Sequence, residues 1–433
     1  MTDAAPIVTA RLRQGDDVHT LTGYRATGGY EGLRKALSMH PEEVAKTIDT
    51  ASLLGRGGAG FPAGRKWSML RQSPVRYLVV NGDESEPATF KDQLLLTRDP
   101  HQIIEGTLIA AYAIQATQAF IYVRGEFGLG LERMTEALNE AYREGIVGRH
   151  ILGSPFSVDV VLHPGAGAYI CGDETGLLES LEGKRGFPRI KPPYYPAVYG
   201  LYQQPTVVNN VETVSNLPWI VLRGGPAFSA LGEGASTGTR LFALSGTVRR
   251  PGVYEVEMSK TTFSDLIHAP VYGQGLRAGR TLKCFIPGGA SSPWFGPDHL
   301  DMGLNQEEVG RAGSMLGSGS IVVMDDATCV VRAAWRLVKF FWRESCGQCT
   351  PCREGSGWLE KVMRRIEQGA GRESDLDLLI DVSDNISPKL VWPPQQTTIC
   401  PLGPSIPPAI YSSLRMFRDE YLTHIKDGAC PYD

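Results

Sequence analysis

The chain has 433 residues, of which 42% are hydrophobic and 21% charged, and its formal net charge is −4. This length suggests two to four domains, and the composition is typical of a globular protein and excludes a disordered one. The slight excess of acid gives no electrostatic basis for binding nucleic acid or an anionic membrane. Residues 1–17 contain no apolar segment typical of a secretion signal, so we expect a reducing, cytoplasmic environment.

The first 235 residues alternate helical and strand patterns after a helical N-terminal extension. Pro41 begins a helix, with acidic residues in its first turn. The longest apolar region, 103–123, contains Glu105, which favours a buried helix and a strand over a membrane span. Strands are predicted at 77–81, 119–123 and 158–162, and a returning helix at 206–222. The alternation predicts an α/β domain with a largely parallel sheet.

Two further regions follow a glycine- and serine-rich segment, 224–238, which predicts a linker. Residues 236–325 predict a small α+β domain. Its predicted elements are strands at 240–246, 252–258, 283–289 and 320–326, with one short helix near 261–267. Residues 326–433 predict a helical domain. Its helices are expected at 329–342, 358–366, 374–386 and 406–425, with C-terminal caps at Gly369 and Gly428.

The sequence SCGQCTPCREG, residues 345–355, places three cysteines at three-residue intervals. A fourth, Cys400, precedes a proline in TTICPLG. The candidate metal ligands are therefore Cys346, Cys349, Cys352 and Cys400. Three closely spaced thiolates and one remote Cys-Pro are typical of a 4Fe–4S cluster. Zinc, which more often uses paired Cys-x2-Cys elements, and unliganded thiols remain alternatives. The other cysteines are expected in the core or at the surface, namely Cys171, Cys284, Cys329 and Cys430.

A glycine-rich segment, GRGGAGFPAGRKW, covers residues 55–67. Gly55, Gly57 and Gly60 match the G-x-G-x-x-G pattern, but a helical pattern precedes them, where a dinucleotide fold requires a strand. Pro62 favours a helix start, so the loop could hold a phosphate at a helix N-terminus, with Lys66 adding positive charge. A plain glycine turn is the alternative.

Acidic and amide side chains occur in three other segments. NGDESEP (81–87) directly follows a predicted strand, so its carboxylates face the crevice where α/β sheets bind ligands. They could accept hydrogen bonds from ribityl or ribose hydroxyls, although a solvated acidic turn is the alternative. GAGAYICGDETGLLESLEG (165–183) places Asp173 and Glu174 before a helix, and NNVET (209–213) offers side-chain amides.

Taken in order, these motifs, with KPPYYP and ESCGQCTPCREG, resemble one family over almost the whole chain. It is the NADH-oxidising, FMN-binding flavoprotein subunit of respiratory complex I (the F subunit of NADH-quinone oxidoreductase). The resemblance implies an α/β nucleotide-binding domain with a parallel sheet (1–235), a small α+β ubiquitin-like domain (236–325) and a C-terminal four-helix iron–sulfur domain (326–433).

The resemblance also implies one cavity shared by FMN and NADH, along a loop that includes Gly55, Gly60 and Gly64. The implied FMN side comprises Gly57, Gly58, Lys66, Asn81, Asp83, Glu84, Tyr169, Gly172, Asn209, Asn210 and Thr213. The implied NADH side comprises Phe61, Glu86, Asp173, Glu174 and Tyr194, the last stacking on adenine.

The implied activity is oxidation of NADH by hydride transfer to FMN, followed by single-electron transfer to a 4Fe–4S cluster. No side chain is assigned as a catalytic acid or base, because the flavin carries the chemistry. The implied partners are a thioredoxin-like 2Fe–2S subunit and a large iron–sulfur subunit, with quinone reached only through the assembly. The implied location is the cytoplasmic side of the cell membrane, peripheral, with no membrane span of its own.

Two alternatives are the diaphorase subunit of a soluble NAD-dependent hydrogenase or formate dehydrogenase, and a non-catalytic, metal-stapled interaction protein. Many such diaphorases carry cysteine-rich ferredoxin-like extensions, which this sequence lacks. The sequence departs from the family at Asp173 (usually glutamate), Tyr194 (usually phenylalanine) and Pro404 (often an acid), and residues 387–398 form a longer link into Cys400. The first two changes keep charge and aromaticity, so we expect the site to be retained.

Overall fold

The computed structural model describes residues 5–15, 17–389 and 394–432. Its first region contains a four-stranded, fully parallel sheet in the order β3-β2-β1-β4. The strands are β1 (Tyr77–Gly82), β2 (Gln118–Val123), β3 (Asp159–Pro164) and β4 (Thr206–Asn210). The helices before the sheet are α1 (Leu21–Ala26), α2 (Glu31–Ser38), α3 (Pro41–Thr50) and α4 (Ala63–Ser68). Those within or after it are α5 (Lys91–Arg98), α6 (Pro100–Ala113), α7 (Gly128–Arg143), α8 (Glu174–Leu181), α9 (Pro196–Tyr199), α10 (Val211–Ser215), α11 (Leu217–Arg223) and α12 (Gly225–Ser229).

The predicted α/β domain with a parallel sheet is confirmed, but two segments within it differ from expectation. Residues 206–222 are not one helix, because 206–210 form β4, which pairs with β1. Thr206, Val207 and Val208 are β-branched and favour a strand at this buried position. Residues 224–238 are not a plain linker: they contain α12 and a hairpin of β5 (Gly232–Glu233) and β6 (Ser236–Thr237).

The second region is built on a mixed sheet in the order β8-β7-β10-β9. Its strands are β7 (Thr239–Gly246), β8 (Gly252–Glu257), β9 (Leu282–Ile286) and β10 (Ser320–Asp325). Its helices are α13 (Phe263–His268) and α14 (Gln306–Arg311), of which the sequence predicted only the first. In this sheet β7 and β10 run parallel, while the outer pairs run antiparallel.

The third region is helical, as predicted. It comprises α15 (Val330–Glu344), α16 (Thr350–Glu367), α17 (Ser374–Ile386) and α18 (Pro407–Asp427). Gly369 and Gly428 both have positive φ after their helices, as expected for C-terminal caps. Helix α16 begins eight residues earlier than predicted, so Cys352 lies in its first turn and not in the preceding loop. Part of the 387–398 insertion, residues 390–393, lies outside the described residues.

Short 3-10 helices occur at Arg11–Arg13, Ile151–Gly153, Tyr169–Gly172, Leu201–Gln203 and Pro297–His299. Among the described residues, none of the helices combines the length and apolar character that a membrane span requires.

The central strand of the parallel sheet, β1, is buried on both faces, and its two faces contact different partners. Leu78 and Val80 of β1 pack with the helices of the first region, in one apolar cluster. Val79, between them, belongs to another cluster that includes Val338 of α15 and Ile410 of α18. Because successive side chains of a strand point to opposite faces, β1 itself joins the first region to the C-terminal helices.

A buried network of charged side chains lies where the glycine loop meets the sheet. Arg56, Lys91, Asp92 and Glu212 are each at most 2% exposed. Lys91 Nζ lies 2.8 Å from Asp92 Oδ1 and 2.9 Å from Glu212 Oε2, and Arg56 Nε lies 3.9 Å from Glu212 Oε1. Two cations thus face two carboxylates within the protein interior.

We expect Glu212→Gln to lower the free energy of unfolding by about 3–5 kcal/mol, because it leaves Arg56 and Lys91 buried with one carboxylate between them. Urea unfolding of the wild type and the variant measures this loss. The matched control is Glu144→Gln, since Glu144 is an exposed acid paired with Arg25 at 3.1 Å. The control is expected to cost less than about 1 kcal/mol. Equal losses in the two variants would contradict a special role for the buried pair.

Candidate functional site

The candidate site lies at the carboxyl ends of β1 and β4. The chain passes from β1 to β2 and β3 on one side, whereas β4 returns to the other side of β1. This reversal creates a crevice between two neighbouring strand ends, where open α/β sheets bind ligands. Asn81 and Asp83 lie at the end of β1, and Asn209 and Asn210 at the end of β4. Residues predicted from two distant motifs are therefore brought together.

The glycine loop runs along this crevice and is anchored to the end of β4. The backbone N–H of Arg56 donates to Thr213 Oγ1 at 2.9 Å. A Cβ at position 57 would lie 3.2 Å from the Asn210 Cβ, so only glycine lets the loop pass this closely without displacing Asn210. Gly58 has φ +126°, a conformation that side chains rarely adopt.

Two other predicted glycines have structural roles in the loop. Gly55 N donates to Phe61 O at 3.0 Å, which closes the loop on itself. A Cβ on Gly64 would come within 2.5 Å of the Asp49 Cα, so this glycine permits close packing of α4 on α3. Gly60 has φ +65°. The side chain of Phe61 is 38% exposed and projects from the loop into solvent.

Lys66 lies in α4 and reaches the same crevice. Its Nζ lies 2.9 Å from Glu174 Oε2 and also donates to the backbone carbonyl of Val208 at 2.9 Å. Lys191 lies 3.2 Å from the other Glu174 oxygen. Burial alone would raise the pKa of Glu174, but the two ammonium groups hold it at about 2. Two ammonium groups thus converge on one carboxylate beside the crevice, where they could also attract an anion.

Asp83 carries an unsatisfied acceptor into the crevice. Its side chain is fully buried, and Oδ2 accepts a hydrogen bond from Ser85 Oγ at 2.7 Å. No donor among the described residues reaches Oδ1. Burial raises the pKa of Asp83 to about 7, although the Ser85 bond opposes the rise. A buried acceptor of this kind fits a ligand that offers a hydroxyl or ring N–H.

The two glutamates after Asp83 point in different directions. Glu84 accepts hydrogen bonds from the backbone N–H groups of Asp92 and Gln93, both at 2.7 Å, and so caps α5. Glu86 accepts from Tyr169 Oη at 2.7 Å and from Ser291 N at 2.8 Å, and burial raises its pKa. The structure therefore places Glu84 at a helix terminus and Glu86 between the first and second regions.

The 165–183 segment folds back over the end of β1. Asn81 Nδ2 donates to the carbonyl of Gly172 at 3.0 Å. Asp173 caps α8, since its Oδ1 accepts from Thr175 N at 2.9 Å and Gly176 N at 3.1 Å. Tyr194 is 41% exposed and packs edge-on against Tyr199, with ring centroids 6.2 Å apart.

The four motif cysteines converge beside this crevice. Cys352 and Cys400 are buried, and Cys346 and Cys349 are partly exposed. Burial, with the nearby charges of Asp173, Cys352 and Cys346, raises the pKa of Cys400 to about 12. The charge of Cys352 would interact with those of Cys346 and Cys349, and the charge of Cys400 with those of Cys346 and Cys352, so a cation is needed before all four can ionise, which fits the metal ligand set that the sequence predicted.

The crevice and the cysteine cluster share a wall. Tyr169 N donates to Glu344 Oε2 at 2.9 Å, and its ring packs edge-on against Phe340 and Phe341. Those three residues belong to α15, which ends just before Cys346. The ring that contacts Glu86 in the crevice is therefore fixed to the helix that leads into the cysteines.

Several residues of the site were not predicted from the sequence. They are Arg56, Lys91, Asp92, Lys191, Glu212, Ser291 and Glu344. Some sequence signals existed, because Lys191 lies within KPPYYP, Glu212 within NNVET and Arg56 within the glycine loop. Glu344 opens the cysteine motif ESCGQCTPCREG, whereas Ser291 lies far along the chain and follows no local pattern.

Comparison with known proteins identifies the family. A model described as "Nuo51 FMN-binding domain" matches residues 48–219, and one described as "NADH-ubiquinone oxidoreductase-F iron-sulfur binding region" matches 332–424. The chain is 48% identical to the F subunit of NADH-quinone oxidoreductase of Mycobacterium tuberculosis, over all of this chain and 97% of that protein. It is also 48% identical to the corresponding protein of Streptomyces coelicolor, over 99% of this chain and 93% of that one.

The chain belongs to the family of NADH-quinone oxidoreductase F subunits. Solved structures of similar fold include an NAD+-reducing NiFe-hydrogenase in the H2-reduced state, with TM-score 0.78 and 33% identity, covering 92% of this chain and 64% of that chain. The air-oxidised state of such a hydrogenase gives TM-score 0.80 and 31% identity, covering 100% and 69%. This F-subunit homologue thus spans only about two thirds of the hydrogenase chains that it matches.

The residues of this F-subunit homologue fit FMN and a 4Fe–4S cluster. Asp83 offers an orphaned buried acceptor, Gly57 leaves room that a Cβ would fill, and Lys66 supplies positive charge. Four cysteine thiols from two chain segments fit the thiolate set of a cubane cluster.

We expect riboflavin affinity to rise roughly tenfold between about pH 6 and about pH 8, if a flavin donor binds the ionised Asp83 with pKa about 7. The affinity rises with pH because a hydrogen-bond donor on the flavin binds the ionised carboxylate of Asp83. Below pH 7 Asp83 must first lose its proton, and this weakens binding. Quenching of flavin fluorescence measures the affinity, and riboflavin avoids titration of the FMN phosphate. In Asp83→Asn the pH dependence should vanish; its persistence would exclude Asp83.

We expect Cys400→Ser to abolish the cluster but leave FMN binding largely intact. Cys400 belongs to the helical region, whereas the loops of the flavin crevice lie between residues 55 and 213. Iron content and flavin content of the purified variant measure the two effects. NADH should still reduce artificial acceptors that take electrons from flavin. Cys284→Ser is the matched control, since Cys284 is a buried thiol in β9. Equal iron in Cys400→Ser and the wild type would contradict the ligand assignment.

Proposed function

We propose that this chain is the electron-input subunit of an NADH-quinone oxidoreductase, with NADH and FMN in the crevice and a 4Fe–4S cluster on the four cysteines. One observation carries the proposal: the crevice and the cysteine cluster are contiguous. Burial lowers the pKa of Lys191 in the crevice, but the carboxylates of Glu174 and Asp173 raise it overall, and Cys400 of the cysteine cluster lies close enough to contribute. A redox site for a nucleotide and a thiolate cluster thus share the same electrostatic environment.

The cofactor supplies the chemistry, and the chain supplies its position. FMN accepts two electrons from NADH and releases them singly, so it belongs between the nucleotide and the cluster. In our proposal Asp83 and Asn81 fix the ribityl chain and ring, and Asn209, Asn210 and Thr213 hold the opposite side. Gly57, Gly58 and Lys66 receive the FMN phosphate. Tyr169 and Gly172 close the crevice toward the cysteines.

The NADH side of the proposed site lies where aromatic rings are exposed. Phe61 and Tyr194 are 38% and 41% exposed, and Tyr194 can stack on adenine. Glu86, Asp173 and Glu174 supply carboxylates near the nucleotide. Of these, Glu174 is already paired with two lysines, so Asp173 is the acid best placed to discriminate between nucleotides.

We further propose that the chain is divided into domains at 1–235, 236–325 and 326–433, with a ubiquitin-like second domain. The mixed sheet around α13 supports the last point. The natural partners would be a thioredoxin-like 2Fe–2S subunit and the large iron–sulfur subunit, on the cytoplasmic side of the membrane. Quinone would be reached only through that assembly.

The alternative partner is a soluble hydrogenase, which the solved structures of similar fold suggest. Sequence favours complex I, because identity is 48% over 97% of the Mycobacterium tuberculosis relative but 33% over 64% of a hydrogenase chain. The experiment is affinity purification of the tagged chain from its own host. Integral membrane subunits and NADH:quinone activity would support complex I, whereas a co-purifying hydrogenase subunit would overturn it.

A simpler test addresses the chemistry alone. We expect the purified chain to carry FMN, and anaerobic NADH to bleach the visible absorbance of that flavin. Ferricyanide should then be reduced at the expense of NADH. Absence of flavin after reconstitution with FMN, or flavin that NADH leaves oxidised, would contradict the proposed activity.

We expect Asp173→Asn to raise the kcat/KM ratio of NADPH to NADH by roughly tenfold, equivalent to about 1.4 kcal/mol. The Asp173 carboxylate would repel the extra phosphate of NADPH, and asparagine removes that charge while its oxygen can still cap α8. The control is Asp173→Glu, which keeps the charge and should leave the ratio unchanged. An unchanged ratio in Asp173→Asn would show that Asp173 does not face the adenosine ribose.

A further inference from the structure

A second cluster of potential metal ligands lies in the helical region, away from the four motif cysteines. Cys329 precedes α15, Glu367 ends α16, His424 lies near the end of α18, and Cys430 follows that helix. All four side chains are buried. Their potential ligand atoms all lie within 4.8 Å of one another. From the sequence, we expected Cys329 and Cys430 to lie in the core or at the surface, with no ligand role.

The distances among the ligand atoms of Cys329, Glu367 and His424 match a tetrahedral site, and Cys430 Sγ lies within 4.8 Å of all three. Cys329 Sγ lies 3.4 Å from His424 Nε2 and 3.8 Å from Glu367 Oε2. His424 Nε2 lies 3.5 Å from Glu367 Oε2. Zinc bonds of about 2.3 Å to sulfur and about 2.0 Å to nitrogen or oxygen hold tetrahedral ligands about 3.3–3.8 Å apart. A single ion therefore fits between these atoms.

The hydrogen bonds around the cluster leave electron pairs directed into it. His424 Nδ1 lies 2.8 Å from the carbonyl oxygen of Glu420, which can only accept, so Nδ1 carries a proton, and in the neutral ring Nε2 then holds a lone pair. That lone pair faces the acceptor Glu367 Oε2. Two acceptors at 3.5 Å repel each other unless a proton or a cation lies between them.

The surrounding groups also orient the ligands. Arg332 N–H donates to Cys329 Sγ at 3.2 Å, and the Arg332 guanidinium binds the other oxygen of Glu367. With Glu420 holding the His424 ring, three of the four potential ligands have an outer partner of the kind that metal sites use to fix ligand geometry.

We propose that Cys329, Glu367, His424 and Cys430 bind one structural Zn²⁺ ion. Two thiolates and a carboxylate carry three negative charges, which Zn²⁺ and the Arg332 guanidinium balance. A mixed sulfur and nitrogen set favours zinc over magnesium or calcium, which prefer oxygen ligands. Binding displaces one proton from each thiol, and neither the metal nor the ligands change oxidation state.

The zinc site is separate from the proposed iron–sulfur site. Cys352 is in the first turn of α16 and Glu367 at its last residue, which are 367 − 352 = 15 positions apart. At 1.5 Å per residue the two lie roughly 22 Å apart along the helix. The ion would fasten the ends of α15, α16 and α18 to the C-terminal tail, at the far end of the helix that begins at the cluster.

The test uses the full-length chain purified with its FMN and cluster. Elemental mass spectrometry should find one zinc per chain, and zinc-edge X-ray absorption should show two sulfur ligands at about 2.3 Å. In Cys430→Ser, and in His424→Gln, zinc should fall well below one per chain while iron stays unchanged. Cys400→Ser should give the reverse, with iron lost and zinc retained. Cys284→Ser, the control, should keep both metals.

Three outcomes would overturn the proposal. They are wild-type protein without stoichiometric zinc, a zinc edge that lacks sulfur coordination, or zinc that persists in Cys430→Ser and His424→Gln. A Cys329–Cys430 disulfide, found by mass spectrometry after alkylation of free thiols, would overturn it as well. The absorption edge needs no variant, so it decides the question even if the substitutions prevent folding.

Discussion

The structure depends on the burial of Arg56, Lys91, Asp92 and Glu212 beneath the glycine loop. Charges at this depth are tolerated only when each is paired, so the segments that carry them must be held together. Arg56 also donates to the carbonyls of Thr237 and Thr239, and Glu212 accepts from Leu241 N. The same four charges thus hold together the loop, α5, the end of β4 and the first strand of the second sheet. The crevice is preorganised, because moving any of these segments would break an ion pair and leave a charge unpaired.

A second set of contacts carries this rigidity toward the cysteines. Glu86 joins the end of β1 to Ser291 in the second region, and Tyr169 joins Glu86 to α15. All three regions therefore meet at one side of the crevice. Electron transfer between a flavin and a cluster depends on a fixed separation. These hydrogen bonds link the crevice to the helix that leads into the cysteines, and so they help to fix that separation.

The sequence predicted those elements whose signals are local. Most strands, the glycine caps and the cysteine spacing were recognised from the sequence, because each is signalled by residues close together in the chain. Strand β4 was predicted as helix although its first three residues are β-branched, because helices directly follow Thr206–Asn210 and the pairing with β1 is not visible in the sequence. The acidic motif predicted ligand contacts for Glu84, whereas the structure uses its carboxylate to cap α5. The neighbours of Cys329 and Cys430 could not be inferred, because 101 positions separate the two thiols in sequence.

The helical region illustrates why such distant residues converge. Both ends of α16 lie beside groups that can ionise together only when a cation is present: thiols at its start, and a carboxylate, an imidazole and thiols at its end. Apolar packing between α15, α16 and α18 brings these ends together, but it cannot balance their charge. A redox-active cluster at the start of α16 and a redox-inert ion at its end would have two different roles. The first accepts electrons, and the second keeps the helices that surround the cluster from separating.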